Sequence, residues 1–167
     1  IKDMESEGYA FETAPASFDV LVKRGLEKVP EFFRLDRFSV RDEKRVNARG
    51  EPVTESEATV KIQVGNQTKH SVAEGNGPVN ALDNALRKAL RDIYPEIDAV
   101  HLADYRVRIL RPREATAAVT RVLIETQEIT KPECKWHTLG VSGNIIDASF
   151  RALCDSYVYF LMNRNKT

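Results

Sequence analysis

Two stretches of this sequence, His70-Ser71-Val72-Ala73 and His137-Thr138-Leu139-Gly140, stand 67 residues apart and resemble one another position by position. The same separation relates two further blocks. Leu35, Arg37, Phe38 and Val40 recur as Leu102, Asp104, Tyr105 and Val107, and Ala81, Ala85, Leu86 and Ala89 recur as Ala148, Ala152, Leu153 and Ser156. A separation shared by three blocks indicates an internal duplication. Two copies of this length predict two related α+β units, with a seam between them where a ligand can bind.

The bulk composition limits the class of protein. A chain of 167 residues is long enough for one domain, or for a domain with an appendage. Its 25 basic residues balance its 25 acidic residues, so the total charge favours neither nucleic acid nor an anionic membrane as a partner. No apolar run approaches the roughly 20 residues that span a bilayer, and no signal peptide opens the chain. Cys134 and Cys154 are too few for a disulfide framework, so we expect a cytoplasmic protein.

Residues 1–30 are predicted to form a linker segment before the duplicated part. The opening Ile1-Lys2-Asp3-Met4 does not begin with methionine and indicates a piece of a longer protein. Apolar residues at helical spacing predict a helix from residue 15 to about residue 28, which Pro30 ends. The apolar stripe of this helix consists of Phe18, Leu21, Val22, Gly25 and Leu26. Residues 8–12 are predicted to be a short extended segment or turn.

Each copy of the duplication shows three strand patterns followed by one helix pattern. In the copy at about 31–98, the patterns predict strands over 32–41 and 58–64, a third strand ending near Glu74, and a helix from Pro78 to about Tyr94. In the copy at about 99–167, they predict strands over 101–111, 117–125 and 136–141, and a helix from Ile145 to about Asn163. The predicted fold class is therefore α+β, a duplicated βββα unit with two antiparallel three-stranded sheets over residues 31–167.

The sequence carries no catalytic motif. Its histidines, His70, His101 and His137, lack the spacing of metal ligands, and His70 and His137 are equivalent in the two copies, which favours a structural role. A nucleophile elbow, a P-loop and a Cys-x-x-Cys pair are all missing. Cys154 falls within the last predicted helix, where a buried, inert thiol is the favoured interpretation. We therefore predict no catalytic residue, no metal ligand and no enzymatic activity for this chain by itself.

The strongest candidate for a binding site is the glycine-rich corner Glu74-Gly75-Asn76-Gly77-Pro78-Val79-Asn80-Ala81. Its glycines permit positive φ and leave backbone amides uncovered, while Pro78 suits the first position of a helix. Such a corner suits a carboxylate or a phosphate. The sister corner, residues 140–145, offers Ser142 or Asn144 as a helix cap. The alternative is that both corners are tight turns that bind nothing. If Tyr105 and Ile109 form one wall of a site at these corners, the site suits a small zwitterion with a branched apolar side chain.

Three stretches carry a resemblance to a known family: Gly75-Asn76-Gly77-Pro78-Val79-Asn80-Ala81-Leu82-Asp83-Asn84-Ala85-Leu86, Ala103-Asp104-Tyr105-Arg106-Val107-Arg108-Ile109, and Gly140-Val141-Ser142-Gly143-Asn144-Ile145. Together they resemble the carboxy-terminal regulatory domain of the 2-isopropylmalate synthase family, and the first two are most similar to its citramalate synthase branch. Gly8-Tyr9-Ala10-Phe11-Glu12 is similar to the segment that joins that branch's linker subdomain to the regulatory domain. The chain departs from the family at Gly143 and His137.

The resemblance implies a function for the parent protein and a role for this part of it. The family condenses acetyl-CoA with a 2-oxo acid on a metal-dependent TIM barrel, which lies outside these residues. The divalent metal and acetyl-CoA therefore belong to the barrel, and no cofactor is expected here. The regulatory domain forms a homodimer and binds the end-product amino acid, isoleucine in citramalate synthases and leucine in isopropylmalate synthases. It thereby mediates feedback inhibition of branched-chain amino acid biosynthesis.

The resemblance also assigns effector-binding positions. The polar end of the amino acid would meet the backbone of the glycine-rich corner. Its side chain would meet an apolar pocket, which a valine of the second copy closes. The positions carried over are Gly75, Asn76, Gly77, Val79, Asn80, Leu102, Tyr105, Ile109, Ala117, Val119 and Val141.

Two other hypotheses stay open. The module could have lost effector binding and retain dimerisation alone. Alternatively, a basic strand could bind nucleic acid. Its arginines are Arg106, Arg108, Arg111 and Arg113. Because few aromatic residues accompany them, a solvated face is the better interpretation, and salt-dependent DNA retention would distinguish the two.

Overall fold

The computed structural model describes residues 2–110 and 118–164. Its helices are α1 (Lys2–Glu7), α2 (Pro15–Gly25), α3 (Pro78–Leu90) and α4 (Ile145–Asn163), with short 3-10 helices at Phe11–Thr13 and Pro95–Ala99. Its strands are β1 (Arg34–Val46), β2 (Pro52–Val64), β3 (Gln67–Gly75), β4 (Val100–Ile109), β5 (Thr120–Glu128) and β6 (Lys135–Ser142). Among the described residues, no helix is long and apolar enough to cross a membrane.

Contacts divide the chain into two compact units. Residues 31–98 form the central unit, and residues 1–30 together with 99–167 form the split unit. Each unit contains one antiparallel three-stranded sheet, with the strand order β1-β2-β3 in the central unit and β4-β5-β6 in the split unit. The predicted fold class is confirmed: two sheets of three antiparallel strands, each followed by a helix, with a helical segment before them.

The core of the central unit lies between its sheet and α3. Alternate residues of β2, among them Val60 and Ile62, are fully buried, as the period-two pattern requires. The alanines of α3 let the helix approach the sheet closely, and Ala81 and Ala85 are fully buried. Ser71 of β3 donates a hydrogen bond from its hydroxyl to the Ala85 carbonyl oxygen, at 2.6 Å. This hydroxyl fastens the middle of α3 to the sheet.

The split unit repeats this construction. Val122 and Ile124 of β5 are fully buried, and so are Ala148 and Ala152 of α4. The Thr138 hydroxyl donates to the Ala152 carbonyl oxygen, at 2.8 Å, one repeat after the Ser71 bond to Ala85. The strand pairing also shifts register at equivalent points, between Leu35 and Arg37 and between Leu102 and Asp104. The duplication is therefore visible in individual bonds and bulges as well as in the element order.

Several predicted boundaries were wrong. The pairing of β1 with β2 continues to Val46 and Pro52, well beyond the predicted strand ends, because charged residues here form an exposed hairpin. Strand β5 begins at Thr120 and ends at Glu128, about three residues after the predicted range. Helix α1 was not predicted, and α3 ends at Leu90 rather than near Tyr94. Residues 91–93 form a turn instead, in which the N–H groups of Ile93 and Tyr94 both bind the Leu90 carbonyl oxygen, at 3.0 and 2.8 Å.

The end of α2 and its buried face also differ from the prediction. The helix ends at Gly25, where the Lys28 N–H binds the Lys23 carbonyl oxygen and Glu27 takes a left-handed φ of 53°. These are the features of a Schellman cap. Helix α2 buries Ala16, Ser17 and Val20, whereas two residues of the predicted stripe, Phe18 and Leu26, remain 38% and 58% exposed. Its smaller residues therefore form the docking face.

Candidate functional site

The corner between β3 and α3 is built by two glycines with different roles. Gly77 precedes the helix with φ −176° and ψ 171°, which is extended backbone that any residue adopts, and no heavy atom lies within 4 Å of an added Cβ. Gly75 is confined, because a Cβ there would overlap the Ala81 nitrogen and lie 2.7 Å from the Ala81 Cα. Neither glycine has the positive φ that the sequence suggested. Gly75 is required for close packing, and Gly77 leaves open space in front of the helix.

The open space at Gly77 faces an uncapped helix end. Gly77 is the N-cap residue and provides no side chain, and Pro78, at the first helical position, has no N–H. The first intrahelical bond runs from the Ala81 N–H to the Gly77 carbonyl oxygen, at 2.9 Å. Consequently the N–H groups of Val79 and Asn80 are the free donors expected at a helix start. Such donors, at the positive end of the helix dipole, suit an anion.

Side chains hold the shape of this corner without covering those donors. The Asn80 side-chain oxygen accepts the Asn76 N–H at 3.1 Å. The Asn84 amide donates to the Glu74 carbonyl oxygen at 2.9 Å, which ties the strand end to the second turn of α3. Ala81 behind them is fully buried. The corner is therefore a loop whose shape is held by hydrogen bonds from α3.

A polar depression lies beside the corner in the central unit. It is lined by Arg41, Glu43, Glu55, Ser56, Glu57 and Glu74. The neighbouring Arg45 guanidinium pairs with Glu55, so it lowers the pKa of that carboxyl while the pKa of Arg45 is raised. Among the described residues, no group of three histidine, cysteine, aspartate or glutamate side chains is arranged to hold a metal ion.

The corner before α4 differs from the corner before α3. The Asn144 side-chain oxygen accepts the N–H groups of Ile146 and Asp147, at 2.8 and 3.2 Å. Asp147 adds a negative charge in the first turn and forms an ion pair with Arg151 at 3.0 Å. Of the two cap residues that the sequence offered, Ser142 and Asn144, the structure has Asn144 as the cap. Because the chain's own side chain occupies these donors, this corner is closed to an anion.

The candidate residues of the split unit lie on two opposite faces of its sheet. Tyr105 lies on the face that α4 covers, where its hydroxyl forms a 2.8 Å hydrogen bond with the buried Ser149 hydroxyl. The register and the alternation of side chains place Leu102 and Ile109 on the same face. Ile109 is 60% exposed, and Val107 beside it on that face is 42% exposed. This end of β4 therefore presents an accessible apolar surface.

Val119 and Val141 lie on the other face. Val141 is buried in a cluster with Ala14 and Leu139, against which Val119 packs. Both valines therefore belong to this cluster rather than to the surface around Ile109. Ala117, the remaining candidate, lies outside the described residues. Their roles in effector binding stay predictions.

Sequence reasoning missed the polar residues that support these surfaces. Ser149 also donates to the Ile145 carbonyl oxygen, at 2.7 Å, so the Tyr105 hydroxyl is anchored to the first turn of α4. The signal that could have found this contact is Ser149 between Ala148 and Phe150 in the predicted helix, because a hydroxyl on a buried helix face needs a hydrogen-bond partner. Burial raises the pKa of the Cys154 thiol, which agrees with the inert thiol predicted there.

The basic strand is partly neutralised. The Arg106 guanidinium pairs with Asp104 at 2.6 Å. Arg111 and Arg113 lie outside the described residues. The pairing favours the solvated face over a nucleic-acid surface.

Comparison with known proteins identifies the family and the relatives of this chain. A family model, the LeuA allosteric (dimerisation) domain, matches residues 12–161. Over 161 residues the chain is 52% identical to the (R)-citramalate synthase of Geobacter sulfurreducens, an alignment that covers 96% of this chain and 29% of that protein. It is 46% identical over 162 residues to the (R)-citramalate synthase of Aquifex aeolicus, an alignment that covers 97% of this chain and 30% of that protein. The chain is 34% identical over 99 residues to the 2-isopropylmalate synthase of Aquifex aeolicus, an alignment that covers 59% of this chain and 17% of that protein. The chain thus spans less than a third of the length of these relatives.

Proposed function

Because this chain belongs to the LeuA allosteric (dimerisation) domain family, we propose that it is the effector-binding and dimerisation domain of a citramalate synthase-like enzyme. Its effector is a branched-chain amino acid, isoleucine in preference to leucine, and binding mediates feedback inhibition of branched-chain amino acid biosynthesis. The observation that carries this proposal is the open corner at Gly77, where α3 begins without a side-chain cap and no heavy atom lies within 4 Å of an added Cβ.

The amino acid's carboxylate is the group that fits this corner. Backbone N–H groups at a helix start bind a carboxylate through charge-assisted hydrogen bonds, which are shorter and stronger than bonds between neutral groups. The missing Cβ at Gly77 lets the carboxylate approach the backbone. The capped α4 corner offers no equivalent donors. We therefore assign the polar end of the effector to the corner of the central unit.

The effector's side chain is assigned to apolar residues by the family resemblance, with Ile109 as the main determinant of specificity. Ile109 is accessible, being 60% exposed. A β-branched wall residue narrows an apolar pocket, and differences of one methylene are worth about 1–3 kcal/mol in such pockets. This supports isoleucine over leucine.

The parent protein is proposed to be an acetyl-CoA-dependent acyltransferase. Its relatives are named as citramalate and 2-isopropylmalate synthases, and they are more than three times as long as this chain. The catalytic TIM barrel, its divalent metal and acetyl-CoA would belong to the remaining length. We also propose a homodimer, because the family description names dimerisation and two-fold pairing is the commonest assembly. A cytoplasmic location follows for a biosynthetic enzyme of this type.

A thermal-shift panel tests the proposed effector. We would measure the melting temperature of the chain with isoleucine, leucine, valine and alanine. An effector that binds only the folded state adds about 2.7 kcal/mol at 100 times its dissociation constant. For a domain of this size, that is a rise of about 5–10 °C. We expect isoleucine to give the largest rise and alanine to give none.

The alternative is a module that only dimerises. It would give no shift with any branched-chain amino acid, while sedimentation would still show a dimer at micromolar concentration. A stable monomer that still binds isoleucine would instead overturn the dimer and retain the effector site.

A further inference from the structure

The N-terminal segment, residues 8–25, forms a layer on the split unit's sheet. Helix α4 covers one face of this sheet. The segment covers the other, where Ala14 packs against Leu139 and Val141. Tyr9 and Leu110 extend the cluster. The sheet is therefore enclosed on both faces, and the segment is one of its two covers.

Polar contacts fasten the segment at both ends. At its start, the Arg121 side chain of β5 donates from Nε to the Gly8 carbonyl oxygen, at 2.6 Å. At its end, Arg24 forms a 2.9 Å ion pair with Asp155 of α4. Between them, the Ser17 hydroxyl accepts the Leu139 N–H at 3.0 Å and lies 3.2 Å from the Asp155 carboxylate. The segment is thus attached to a strand at one end and to a helix at the other.

The interface between these two attachments is shallow. The docking face of α2 consists of Ala16, Ser17 and Val20, and these side chains bury little apolar area, while the larger Phe18 stays 38% exposed. The large side chain that the segment does bury is Phe11, whose ring contacts are with Tyr9 and Phe18 of the segment itself. Burial also raises the pKa of the Asp155 carboxyl, against the opposing effects of Arg24 and Ser17. When the segment docks, the ionised Asp155 carboxylate loses water, which costs free energy. Release of the segment lets water hydrate the carboxylate again and recovers this free energy. Regions with few large buried contacts open locally without global unfolding.

We propose that residues 8–25 form a latch, which docks on and releases from the split unit's sheet as one unit, held by Arg121 at one end and Asp155 at the other. The latch responds to the packing of α4 because strand β6 contacts both. Leu139 and Val141 point to the latch, whereas the Thr138 hydroxyl binds the Ala152 carbonyl oxygen of α4. A shift of α4 against β6 changes the docking surface and reaches the N-terminal end of the chain.

Gly8 supplies a sensitive probe of docking. It has a φ of +115°, which L residues rarely adopt, and an added Cβ would overlap the Leu110 side chain. Gly8→Ala therefore disfavours the docked start of the latch. Arg24→Ala removes the attachment at the other end and leaves the Asp155 carboxylate without its ion pair. Arg45→Ala is the matched control, because Arg45 forms an exposed ion pair with Glu55 in the central unit.

Hydrogen exchange, followed by mass spectrometry on the 167-residue chain, tests the latch. We expect Gly8→Ala and Arg24→Ala each to accelerate exchange of residues 9–25 by about tenfold or more. Exchange in α4 and in residues 52–75 should change far less, and Arg45→Ala should leave residues 9–25 unchanged. Unchanged exchange in both latch variants would overturn the proposal.

A second measurement on the unaltered chain covers the case in which a variant fails to fold. Under increasing urea, the latch amides should exchange with a weaker denaturant dependence than the amides of α4, because local opening exposes less surface. If both sets share one dependence at every urea concentration, the segment opens only with global unfolding and is not a latch.

Discussion

Replacing Gly77 by valine should abolish isoleucine binding and leave the central unit folded. The backbone at Gly77 is extended and nothing lies within 4 Å of an added Cβ, so valine fits the apo corner. Valine restricts the unfolded chain more than glycine does, which favours the fold, but it is a poorer N-cap residue than glycine, which opposes that gain. We therefore expect the free energy of unfolding to change by no more than about 1 kcal/mol in either direction. The two methyl groups would, however, occupy the approach to the Val79 and Asn80 amides.

The size of the binding loss follows from those two donors. A hydrogen bond to a charged group contributes about 1.5–3 kcal/mol. Losing both bonds therefore costs about 3–6 kcal/mol, which raises the dissociation constant by roughly 100-fold to 20,000-fold. Titration calorimetry with isoleucine measures this change, and circular dichroism checks that the variant is folded.

Two control variants separate blocked binding from damaged folding. Gly143→Val places the same side chain in equivalent open space, but before the capped helix α4, and should leave binding intact. Gly75→Ala should instead destabilise the fold by about 1–3 kcal/mol or more, because its Cβ meets the backbone of Ala81. Isoleucine binding that survives in a folded Gly77→Val variant would refute the corner as the carboxylate site.

Three further substitutions give distinct outcomes. Ile109→Ala should move the calorimetric preference towards leucine by about 1–3 kcal/mol with little loss of stability, since Ile109 is 60% exposed; an unchanged ranking would place the side-chain pocket elsewhere. Burial raises the pKa of the Asp155 carboxyl in the folded chain, so folding favours its protonated form. This carboxyl's contribution to the free energy of unfolding is therefore full below its unfolded pKa, about 3.9, and is lost as the pH rises through its folded pKa. Asp155→Asn should remove this decline, which urea midpoints across the acid range would show, and an identical pH profile would contradict the assignment. Glu27→Gly should raise the free energy of unfolding by about 1 kcal/mol, measured by urea denaturation, because φ at Glu27 is 53°; no gain would mean that Glu27 makes a compensating contact.

The duplication made much of the fold predictable. A shared separation of 67 residues located both βββα units, and local rules located α4 and its Asn144 cap. The start of α4 and its cap follow from signals within a few residues of one another, as does Pro78 at the start of α3. The family resemblance stated from the sequence is also confirmed, because its motifs are long and specific.

Features that depend on tertiary contacts were not predictable. The hydrophobic stripe of α2 suggested Phe18 as a buried residue, but the helix docks through Ala16 and Ser17, since only small residues fit against β6 and α4. The lengths of β1 and β2 were underestimated because charged residues that pair in an exposed hairpin show no hydrophobic alternation.

The candidate site was predictable in location and less so in detail. The Gly75–Asn80 corner was identified from its glycines and proline, but the structure requires the two glycines for reasons other than those expected. Gly75 avoids a clash and Gly77 leaves an opening, and neither needs a positive φ. Sequence alone could not place Val141 on the face opposite Tyr105, because strand faces depend on register.

Nuclear magnetic resonance of the ¹⁵N-labelled chain during titration with isoleucine tests the central claim most directly. If the carboxylate binds at the start of α3, the amide signals of Val79 and Asn80 should shift downfield and saturate with isoleucine, and the amides of Ile146 and Asp147 at the capped α4 corner should shift far less. Unmoved Val79 and Asn80 signals, at isoleucine concentrations that saturate binding by calorimetry, would contradict the account.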